Sequence, residues 1–398
     1  MSDSLPTNLP TQRQLVLPIL DAVDKAGGEA TTAEIRNAVA DQLGLDETQR
    51  NQRGTIGGQD HNLLAHRIRW GQQHSKLAGL IERDGRAWRL TDTGSKHLTS
   101  AFPGRPVTVF FTPNGCALWG MAEDAASVID PGTVRLLLTS PPYPLKTKKE
   151  YGNKVGQEYI DWLCSIIERL MPVMESNGSL VLNLGDTWLK NSPTVSMYQE
   201  RTIIALQDRL GLHLCQRLLW HNPSALPVPS NYVGVERIRL KQAVECLWWL
   251  SPEDRPYADN RAILEPYSDR MKKLIEKGGA VRSKKPSGHA TREGSFAADN
   301  GGSIAPNIFR IPNSGDQQYT RACRDAGLPP HPARMPIPLA SKMIEFLSQP
   351  GEVVFDPFGG SGSTARAAED LGRHWITTEA AREYVEGAKL RFSEELAR

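Results

Sequence analysis

The spacing of apolar residues changes character near residue 100. Before that point apolar side chains recur at helical intervals over 15–25 and 32–43, and a third helix is predicted over about 61–72. Two short apolar stretches then flank Asp84-Gly85, a dipeptide typical of a hairpin turn. Three helices followed by a hairpin predict a small winged-helix domain in the first part of the chain.

Beyond a Pro- and Gly-containing linker at 99–105, short apolar runs alternate with helical patterns, which predicts a parallel α/β sheet. The runs predicted as strands cover 107–111, 134–138, 179–183, 214–220, 244–250 and 353–355. Between 251 and 330 the alternation stops, and Gly, Ser, Asn, Pro and charged residues dominate. Because a structureless linker of that length is unusual inside an α/β domain, this segment is predicted to be a loop-rich inserted module.

Composition narrows the class of protein. The chain has 398 residues, of which 39% are hydrophobic and 23% charged, so it is predicted to be globular, with two or three domains. No apolar run approaches the ~20 residues that a membrane span needs, and the first ten residues do not resemble an export signal. The five cysteines are widely spaced and form no C-x-x-C pair, which predicts neither disulfides nor a metal site and favours the cytoplasm.

Charge is informative only in its distribution. The net charge is +2, yet residues 50–89 carry eight basic side chains against three acidic ones, and 270–292 carry eight against one. Such local excess is typical of a surface that meets a nucleic-acid backbone. For 50–89 the alternative is a solvated face of a protein-docking domain.

A glycine-rich turn follows the strand predicted at 353–355 and opens a helix predicted at 365–371. The turn consists of Asp356-Pro357-Phe358-Gly359-Gly360-Ser361-Gly362-Ser363-Thr364. Glycines there let the backbone approach a ligand closely, and Glu379, at the end of the next apolar run, is well placed to bind ribose hydroxyls. No Gly-Lys-Ser/Thr follows, which excludes a Walker loop. A tight strand-to-helix turn without a ligand is the alternative.

A second motif, Thr139-Ser140-Pro141-Pro142-Tyr143, directly follows the strand predicted at 134–138. The two prolines fix the backbone and lack N–H groups, so carbonyl oxygens and the Ser140 hydroxyl remain as hydrogen-bond acceptors. Beside the flat ring of Tyr143, these acceptors suit the exocyclic amino group of a planar base. A rigid loop at a strand end would explain Pro-Pro alone, but not its combination with the glycine-rich turn.

Together the two motifs resemble the β-class amino methyltransferases of DNA, in which the target-amine motif precedes the cofactor motif. The Ser-Pro-Pro-Tyr form is similar to that of N4-cytosine enzymes of type II restriction–modification systems, and the likeness runs over about 107–392. It also includes 177–186, Trp220-His221-Asn222-Pro223, 245–249, 300–304, Cys323 and His331-Pro332-Ala333-Arg334. One departure is Gly120-Met121, where many relatives have Gly-Asp. The N-terminal segment, especially Leu80-Ile81-Glu82-Arg83 and Trp88-Arg89-Leu90-Thr91, resembles the winged helix of Mrr-type restriction proteins.

The resemblance implies an α/β fold: a Rossmann-like S-adenosylmethionine-dependent methyltransferase of circularly permuted motif order, with an N-terminal winged helix and an inserted target-recognition region. The implied division is a DNA-binding winged helix at 1–100, a catalytic half at 106–250, the target-recognition region at 251–330, and an S-adenosylmethionine-binding half at 331–398.

The implied reaction is direct methyl transfer from S-adenosylmethionine to the N4 amino group of cytosine in double-stranded DNA, on a base flipped out of the duplex. Ser140 and the Pro141 carbonyl would accept the amino hydrogens, beside Pro142, and Tyr143 would stack on the base. Asp186 is a candidate to orient Ser140, with a strand-end turn residue as the alternative. The resemblance assigns cofactor binding to Phe355, Asp356, Pro357, Phe358, Gly359, Gly360, Ser361, Thr364, Glu379, His331, Pro332 and Ala333. The DNA contacts predicted from charge are Arg270, Lys272, Lys273, Arg282, Lys284, Lys285, Arg67 and Arg69.

Two other functions stay open. The same fold could methylate the N6 amino group of adenine, because Ser140 discriminates only weakly between two amino groups of similar geometry. A catalytically inactive DNA-binding subunit of a restriction complex is the other, although Ser140, Tyr143, Asp356 and Glu379 are all intact. A cognate endonuclease acting separately is a further expectation, and the sequence leaves the oligomeric state open.

Overall fold

The structure is a computed structural model. It describes residues 9–10, 12, 15–56, 59–99, 106–144, 154–189, 191–284, 286 and 290–396, with only the backbone at 96, 97, 99 and 284. The predicted linker therefore lies outside the described residues except for the backbone of residue 99. Two hydrophobic clusters form the interior, one on each face of a large sheet, and the first of them extends into the N-terminal domain.

The N-terminal domain has the helices and small sheet expected of a winged helix. Its elements are α1 (Val16–Lys25), β1 (Glu29–Thr31), α2 (Thr32–Gln42), α3 (Glu47–Asn51), β2 (Arg53–Ile56), β3 (Gln59–Asn62), α4 (Leu63–Leu77), β4 (Ile81–Asp84), β5 (Ala87–Leu90) and α5 (Asp92–Thr99). Helix α2 begins in a capping box, in which Thr31 and Glu34 bond each other's backbone N–H. The β4–β5 hairpin forms as predicted, and β1 adds a third strand in the order β1-β5-β4.

The region of the third helix differs from the prediction in two ways. The third helix was expected at about 61–72, but α4 starts later, at Leu63, and ends at Leu77. Before it lies the β2–β3 hairpin, whose burial is only partial on both strands. Its polar sequence, Gln59–Asn62, lacks the apolar alternation that marks a strand, so periodicity could not reveal it.

The main sheet has nine strands in the order β14-β10-β11-β9-β8-β15-β16-β7-β6. The strands are β6 (Val107–Phe111), β7 (Gly115–Trp119), β8 (Val134–Thr139), β9 (Met174–Leu184), β10 (His213–His221), β11 (Val244–Ser251), β14 (Ile308–Arg310), β15 (Val353–Asp356) and β16 (His374–Glu379). Helices α6 (Gly156–Leu170), α7 (Tyr198–Leu210), α10 (Ile337–Leu347), α11 (Ser363–Asp370), α12 (Arg382–Lys389) and α13 (Ser393–Leu396) complete this part. Strands β9, β8, β15, β16 and β7 are mutually parallel, whereas β6 and β11 run antiparallel to their neighbours.

The order of the strands reverses between β8 and β15. From β8 the chain passes through α6 to β9 on one side, and from β15 it passes through α11 to β16 on the other. In an open α/β sheet, ligands bind in the crevice at the carboxyl ends of the two strands where the order reverses. This topology therefore places the crevice between Thr139, the last residue of β8, and Asp356, the last residue of β15.

The segment 251–330, predicted to be loop-rich, carries few regular elements. They are α8 (Asp269–Glu276), β12 (Ser283–Lys284), β13 (Ala290–Thr291), β14 and α9 (Gln317–Asp325). Strands β12 and β13 form a separate two-stranded sheet, and β14 adds to the edge of the main sheet beside β10. Helix α8 has no buried residue, whereas β14 and α9 contribute the buried Phe309, Tyr319 and Cys323.

The N-terminal domain is packed directly on the main sheet. Helix α1 contacts β6, and their buried apolar residues belong to one cluster. The guanidinium of Arg382, at the start of α12, donates two hydrogen bonds to the buried Asp21 carboxylate, at 2.8 and 2.7 Å, and a third to the Leu98 carbonyl at 2.9 Å. The domain is thus joined to the element that directly follows Glu379.

Two further features of the structure are the length of its helices and the state of its cysteines. Within the described ranges, no helix has both the length and the apolar character needed to cross a membrane. All five cysteines are free thiols. Burial raises the pKa of Cys116 to about 11, so this thiol stays protonated at neutral pH and is a poor nucleophile.

Candidate active site

The two sequence motifs meet at the crevice between β8 and β15. The Thr139 hydroxyl donates a hydrogen bond of 2.6 Å to Oδ1 of Asp356, and both side chains are buried. The same Oδ1 accepts the backbone N–H of Phe358 at 3.0 Å. Burial raises the pKa of Asp356, while the Thr139, Thr364 and Phe358 hydrogen bonds oppose that rise. The prediction that the motifs share one site is therefore confirmed.

On the glycine-rich side the backbone is tightly packed. A Cβ on Gly359 would lie 1.8 Å from Oγ1 of Thr377, so only glycine lets the turn lie against β16. Glu379, at the end of β16, accepts the backbone N–H of Gly360 at 3.0 Å and of Ala381 at 2.9 Å. Burial raises the pKa of this carboxyl, and the hydrogen bonds from backbone N–H groups oppose the rise.

The remaining residues expected to bind cofactor lie around this turn, with one exception. Phe355 is fully buried in the core behind the turn, where its side chain cannot contact a ligand in the crevice. The His331 ring packs edge-on against Tyr384, with centroids 4.6 Å apart. A Cβ on Gly360 would lie 3.1 Å from Nε2 of this ring. The 331–333 turn is closed by a 2.5 Å bond between His331 Nδ1 and the Ala333 carbonyl. His331 and Gly360 therefore border one recess, as the resemblance implied.

On the target side, three side chains form a hydrogen-bonded chain. The Ser140 hydroxyl lies 3.2 Å from the Tyr143 hydroxyl, which donates to Oε2 of Glu245 at 3.1 Å. The same Oε2 accepts Nδ2 of Asn183 at 3.2 Å. Burial raises the pKa of Glu245, a rise opposed by its bonds to Tyr143 and Asn183 and increased by the negative charge of Asp186.

The chain of hydrogen bonds has a fixed direction when Glu245 is ionised. A carboxylate only accepts, so the single Tyr143 proton is used toward Glu245. Ser140 must then donate its own proton to the Tyr143 oxygen. The remaining lone pairs of the Ser140 oxygen are left to accept, which is the role that the sequence predicted for this hydroxyl.

Asp186 does not lie in the position predicted for it. Its Oδ1 accepts Nε2 of Gln199 at 2.7 Å, and Gln199 in turn accepts the indole N–H of the buried Trp248. No hydrogen bond joins it to Ser140 in the structure. The carboxylate connected to Ser140, through the Tyr143 hydroxyl, is Glu245, near the start of β11. In the sequence it belongs to the segment 245–249, which resembles the methyltransferases but singles out no role for Glu245. The sequence shows a single acidic residue in the apolar run 244–250, but only the order of the strands in the sheet links this residue to Ser140.

The Tyr143 ring packs against the backbone of Gly185. A Cβ on Gly185 would lie 2.5 Å from Cε2 of Tyr143, so glycine at the end of β9 makes room for the ring. Burial raises the pKa of the Tyr143 hydroxyl, and the Glu245 charge raises it further, which keeps the phenol protonated. Stacking of this ring on a base remains a prediction.

The basic residues of the winged helix are only partly free to contact DNA. The Arg67 guanidinium donates to the backbone carbonyls of Leu9 and Pro10, at 2.5 and 3.0 Å, so it holds the N-terminal segment and the prediction that it contacts DNA is not supported. Arg53 and Arg89 form ion pairs with acidic neighbours. Arg69, Lys76 and Arg86 are exposed and form no ion pair with any described residue.

In the inserted segment, the predicted DNA contacts are accessible. Arg270, Lys272 and Lys273 are exposed on α8, and Arg282 is exposed just before β12. Lys272 lies 3.8 Å from Asp269, a distance that leaves it available to another partner. Lys285 and the side chain of Lys284 lie outside the described residues. Contact of these side chains with DNA stays a prediction.

Comparison with known proteins defines the class to which this fold and site belong. The DNA methylase family matches residues 134–390, and the Mrr N-terminal domain matches 13–100. The chain therefore belongs to the DNA methylase family, as the order of its motifs indicated.

Among individual relatives, the type II methyltransferase M.PvuII of Proteus hauseri is 40% identical over 286 residues, covering 71% of this chain and 85% of that protein. M.BglII of Bacillus subtilis is 25% identical over 292 residues, covering 73% and 70%. Among solved structures, the PvuII DNA methyltransferase, described as cytosine-N4-specific, matches with a TM-score of 0.58 and 30% identity over 75% of this chain and 93% of that one. These matches fall short of the whole chain, in keeping with an added N-terminal domain.

Proposed function

We propose that this protein is a site-specific DNA methyltransferase that transfers a methyl group from S-adenosylmethionine to the N4 amino group of cytosine in double-stranded DNA. The observation that carries the proposal is the 2.6 Å bond between Thr139 and Asp356, which joins the acceptor motif to the glycine-rich turn. The cytosine preference rests on Ser140 in the Ser-Pro-Pro-Tyr motif and on the similarity to the cytosine-N4-specific PvuII enzyme.

The residues around the glycine-rich turn fit S-adenosylmethionine. Glu379 keeps acceptor capacity for ribose hydroxyls besides its two backbone bonds, and Oγ1 of Thr378 is buried without a hydrogen-bond partner among the described residues. Asp356 and the 358–360 backbone would hold the methionine part, with His331 bordering the recess. When bound, the cofactor supplies an electrophilic methyl group on a sulfonium.

The protein's part in the reaction is to position and polarise the amine. The lone pair of a cytosine amino group is delocalised into the ring, so the nitrogen is a poor nucleophile. Acceptance of its hydrogens by Ser140 Oγ and the Pro141 carbonyl would return electron density to nitrogen and orient it. Oδ1 of Asn183, buried beside Glu245 without a hydrogen-bond partner among the described residues, is a further acceptor on this side.

Incubation of the full chain with labelled S-adenosylmethionine and duplex DNA is expected to yield labelled N4-methylcytosine on nucleoside analysis. Label found only in N6-methyladenine would show that the target base is adenine and not cytosine, with the same methyltransferase fold. Absence of transfer together with absence of thermal stabilisation by saturating cofactor would favour an inactive DNA-binding subunit. Expression in a methylation-free host and genome-wide modification mapping would then give the recognition sequence.

We also propose a division into domains at 1–100, 106–250, 251–330 and 331–398, with 251–330 as the target-recognition region. The protein would act in the cytoplasm, where genomic DNA is its substrate. A cognate endonuclease would act separately, because the relatives are type II methyltransferases.

The winged helix would add affinity for DNA through phosphate contacts. Arg69, Lys76 and Arg86 are three of its exposed cations that form no ion pair with a described residue, so replacing all three by alanine should weaken binding and reduce the slope of log K against log salt by about 2 to 3. The methylated sequence should not change. Binding titrations at several salt concentrations check this, with Arg169→Ala, exposed on α6, as the control. An altered recognition sequence would mean that this domain reads bases.

A further inference from the structure

The loop that joins β10 to β11, residues 222–243, has a defined shape. Its two ends are tied by a bond of 2.8 Å from the Asn222 N–H to the Ala243 carbonyl. Within it, the Ile238 N–H donates to the Tyr232 carbonyl at 2.9 Å, and a short π-helix spans Asn231–Val235. The backbone is therefore held by its own hydrogen bonds and presents its side chains in fixed directions.

This loop exposes an unusual amount of apolar surface. Of the sixteen large apolar side chains that are exposed among the described residues, five lie in these 22 residues. They are Leu226, Val228, Val235, Ile238 and Leu240. Leu240 is 90% exposed and Ile238 is 60% exposed, values far above those of a side chain that packs within its own chain. Concentrated exposed apolar side chains mark an interaction site.

The loop lies at the edge of the sheet that holds the active site. Strands β9 and β10 are both antiparallel to β11, so β10 ends at the same edge as β9 and β8. Leu240 is five residues before Glu245, a chain distance of at most ~18 Å. Arg239 connects the loop to the segment after β9, because its guanidinium lies over the Trp188 ring and donates to the Pro193 carbonyl.

Positive charge accompanies the apolar residues. In the sequence Arg237-Ile238-Arg239-Leu240-Lys241, the half-buried Arg239 is directed to Trp188, whereas the other four side chains are exposed. Arg237 has no ion pair with a described residue, and Lys241 donates to the Ala225 carbonyl at 3.1 Å. A DNA duplex has charged phosphates outside and stacked, largely apolar base faces inside. The exposed pair Ile238 and Leu240 matches the bases, and the flanking Arg237 and Lys241 match the phosphates.

We propose that Ile238 and Leu240 form a wedge that enters the duplex where the target base leaves the stack, with Arg237 and Lys241 contacting the flanking phosphates. The proposal rests on the proposed function. Ser140 and Tyr143 are partly buried at the crevice, so a base still stacked in the duplex could not reach them. Apolar side chains inserted between base steps offset the lost stacking, and an extruded base leaves such a gap.

The test compares wild type with the Ile238→Ser/Leu240→Ser double variant on two short duplexes. Both carry the site found by modification mapping, and in the second the target cytosine faces an abasic position. The double variant should lose ~10-fold or more in kcat/KM on the intact duplex and recover to within about threefold of wild type on the second, because an unpaired base is extruded at lower cost. The control is Ile204→Ser, an exposed residue on α7 that should lose nothing on either duplex.

Three outcomes would overturn the wedge. The first is an unchanged rate on the intact duplex, and the second is an equal loss of kcat/KM on both duplexes. The third is a wild-type oligomer that the double substitution dissociates, because the patch would then be a subunit interface. Light scattering of both proteins at the assay concentration decides the last. Failure of wild type to methylate either duplex would instead refute the proposed function, so the two failures are distinguishable.

Discussion

Ser140→Ala should lower the single-turnover rate constant of methyl transfer by about 10²- to 10³-fold while leaving the affinity for S-adenosylmethionine unchanged. The loss follows from removing one oriented acceptor from the reacting amine, an effect of that size for a single group in a preorganised site. Cofactor affinity should persist because Ser140 bonds Tyr143, whereas Thr139 is the residue that bonds Asp356. Single-turnover transfer measures the first quantity, and calorimetric titration with the cofactor measures the second.

The neighbouring threonine supplies the matched control. Thr139→Val removes the hydroxyl that donates to Asp356 but leaves the Ser140 oxygen in place, so it should weaken cofactor binding more than it slows single-turnover transfer at saturating cofactor. Thr139→Ser keeps the hydroxyl and should restore most of the affinity. If Ser140→Ala and Thr139→Val gave the same pattern of losses, the division of the crevice into a target side and a cofactor side would be wrong.

The sequence predicts a site residue when its position follows from the local pattern around it, and not when its position depends on how distant strands pair. Ser140, Tyr143, Asp356 and Glu379 each stand at the end of an apolar run, and parallel strands bring such ends to one edge of a sheet. Their positions therefore follow from local patterns. Glu245 is different, because it stands at the beginning of β11. Only the antiparallel pairing of β11 with β9 brings it to the same edge.

The same limit explains why the structure does not support the expected link of Asp186 to Ser140 or the expected DNA contact of Arg67. Both have the charge and the sequence position that their predicted roles require. Asp186 is instead bonded by Gln199 from α7, and Arg67 by carbonyls 57 and 58 residues earlier in the chain. A sequence pattern shows that a charged group is present but does not show which long-range partner already binds it. The packing of the winged helix on β6, through Asp21 and Arg382, escaped prediction for the same reason.

Glu245 should give the methylation rate an acid limb, a fall in rate as the pH is lowered. The ionised carboxylate directs the Tyr143 proton away from Ser140, and protonation of Glu245 removes that direction. Because burial raises the pKa of Glu245 above its ordinary value, the rate should already decline at a pH above the ordinary range of a glutamate. Asp186 is the other carboxylate that acts on Glu245, and it raises the same pKa. Asp186→Asn should therefore shift the acid limb to lower pH.

Two substitutions separate the charge of Glu245 from its hydrogen bonds. Tyr143 and Asn183 both donate to Oε2, and the amide oxygen of Glu245→Gln can accept both bonds without titrating. This variant should keep kcat within about tenfold of wild type at high pH and lose the acid limb. Glu245→Ala frees the Tyr143 proton to donate to Ser140, which occupies the acceptor, so its loss should approach ~10²-fold at every pH. An acid limb that persists unchanged in Glu245→Gln would assign the titration to another group, and Asp356 and Glu379 are the buried carboxyls to test next, because burial raises the pKa of each.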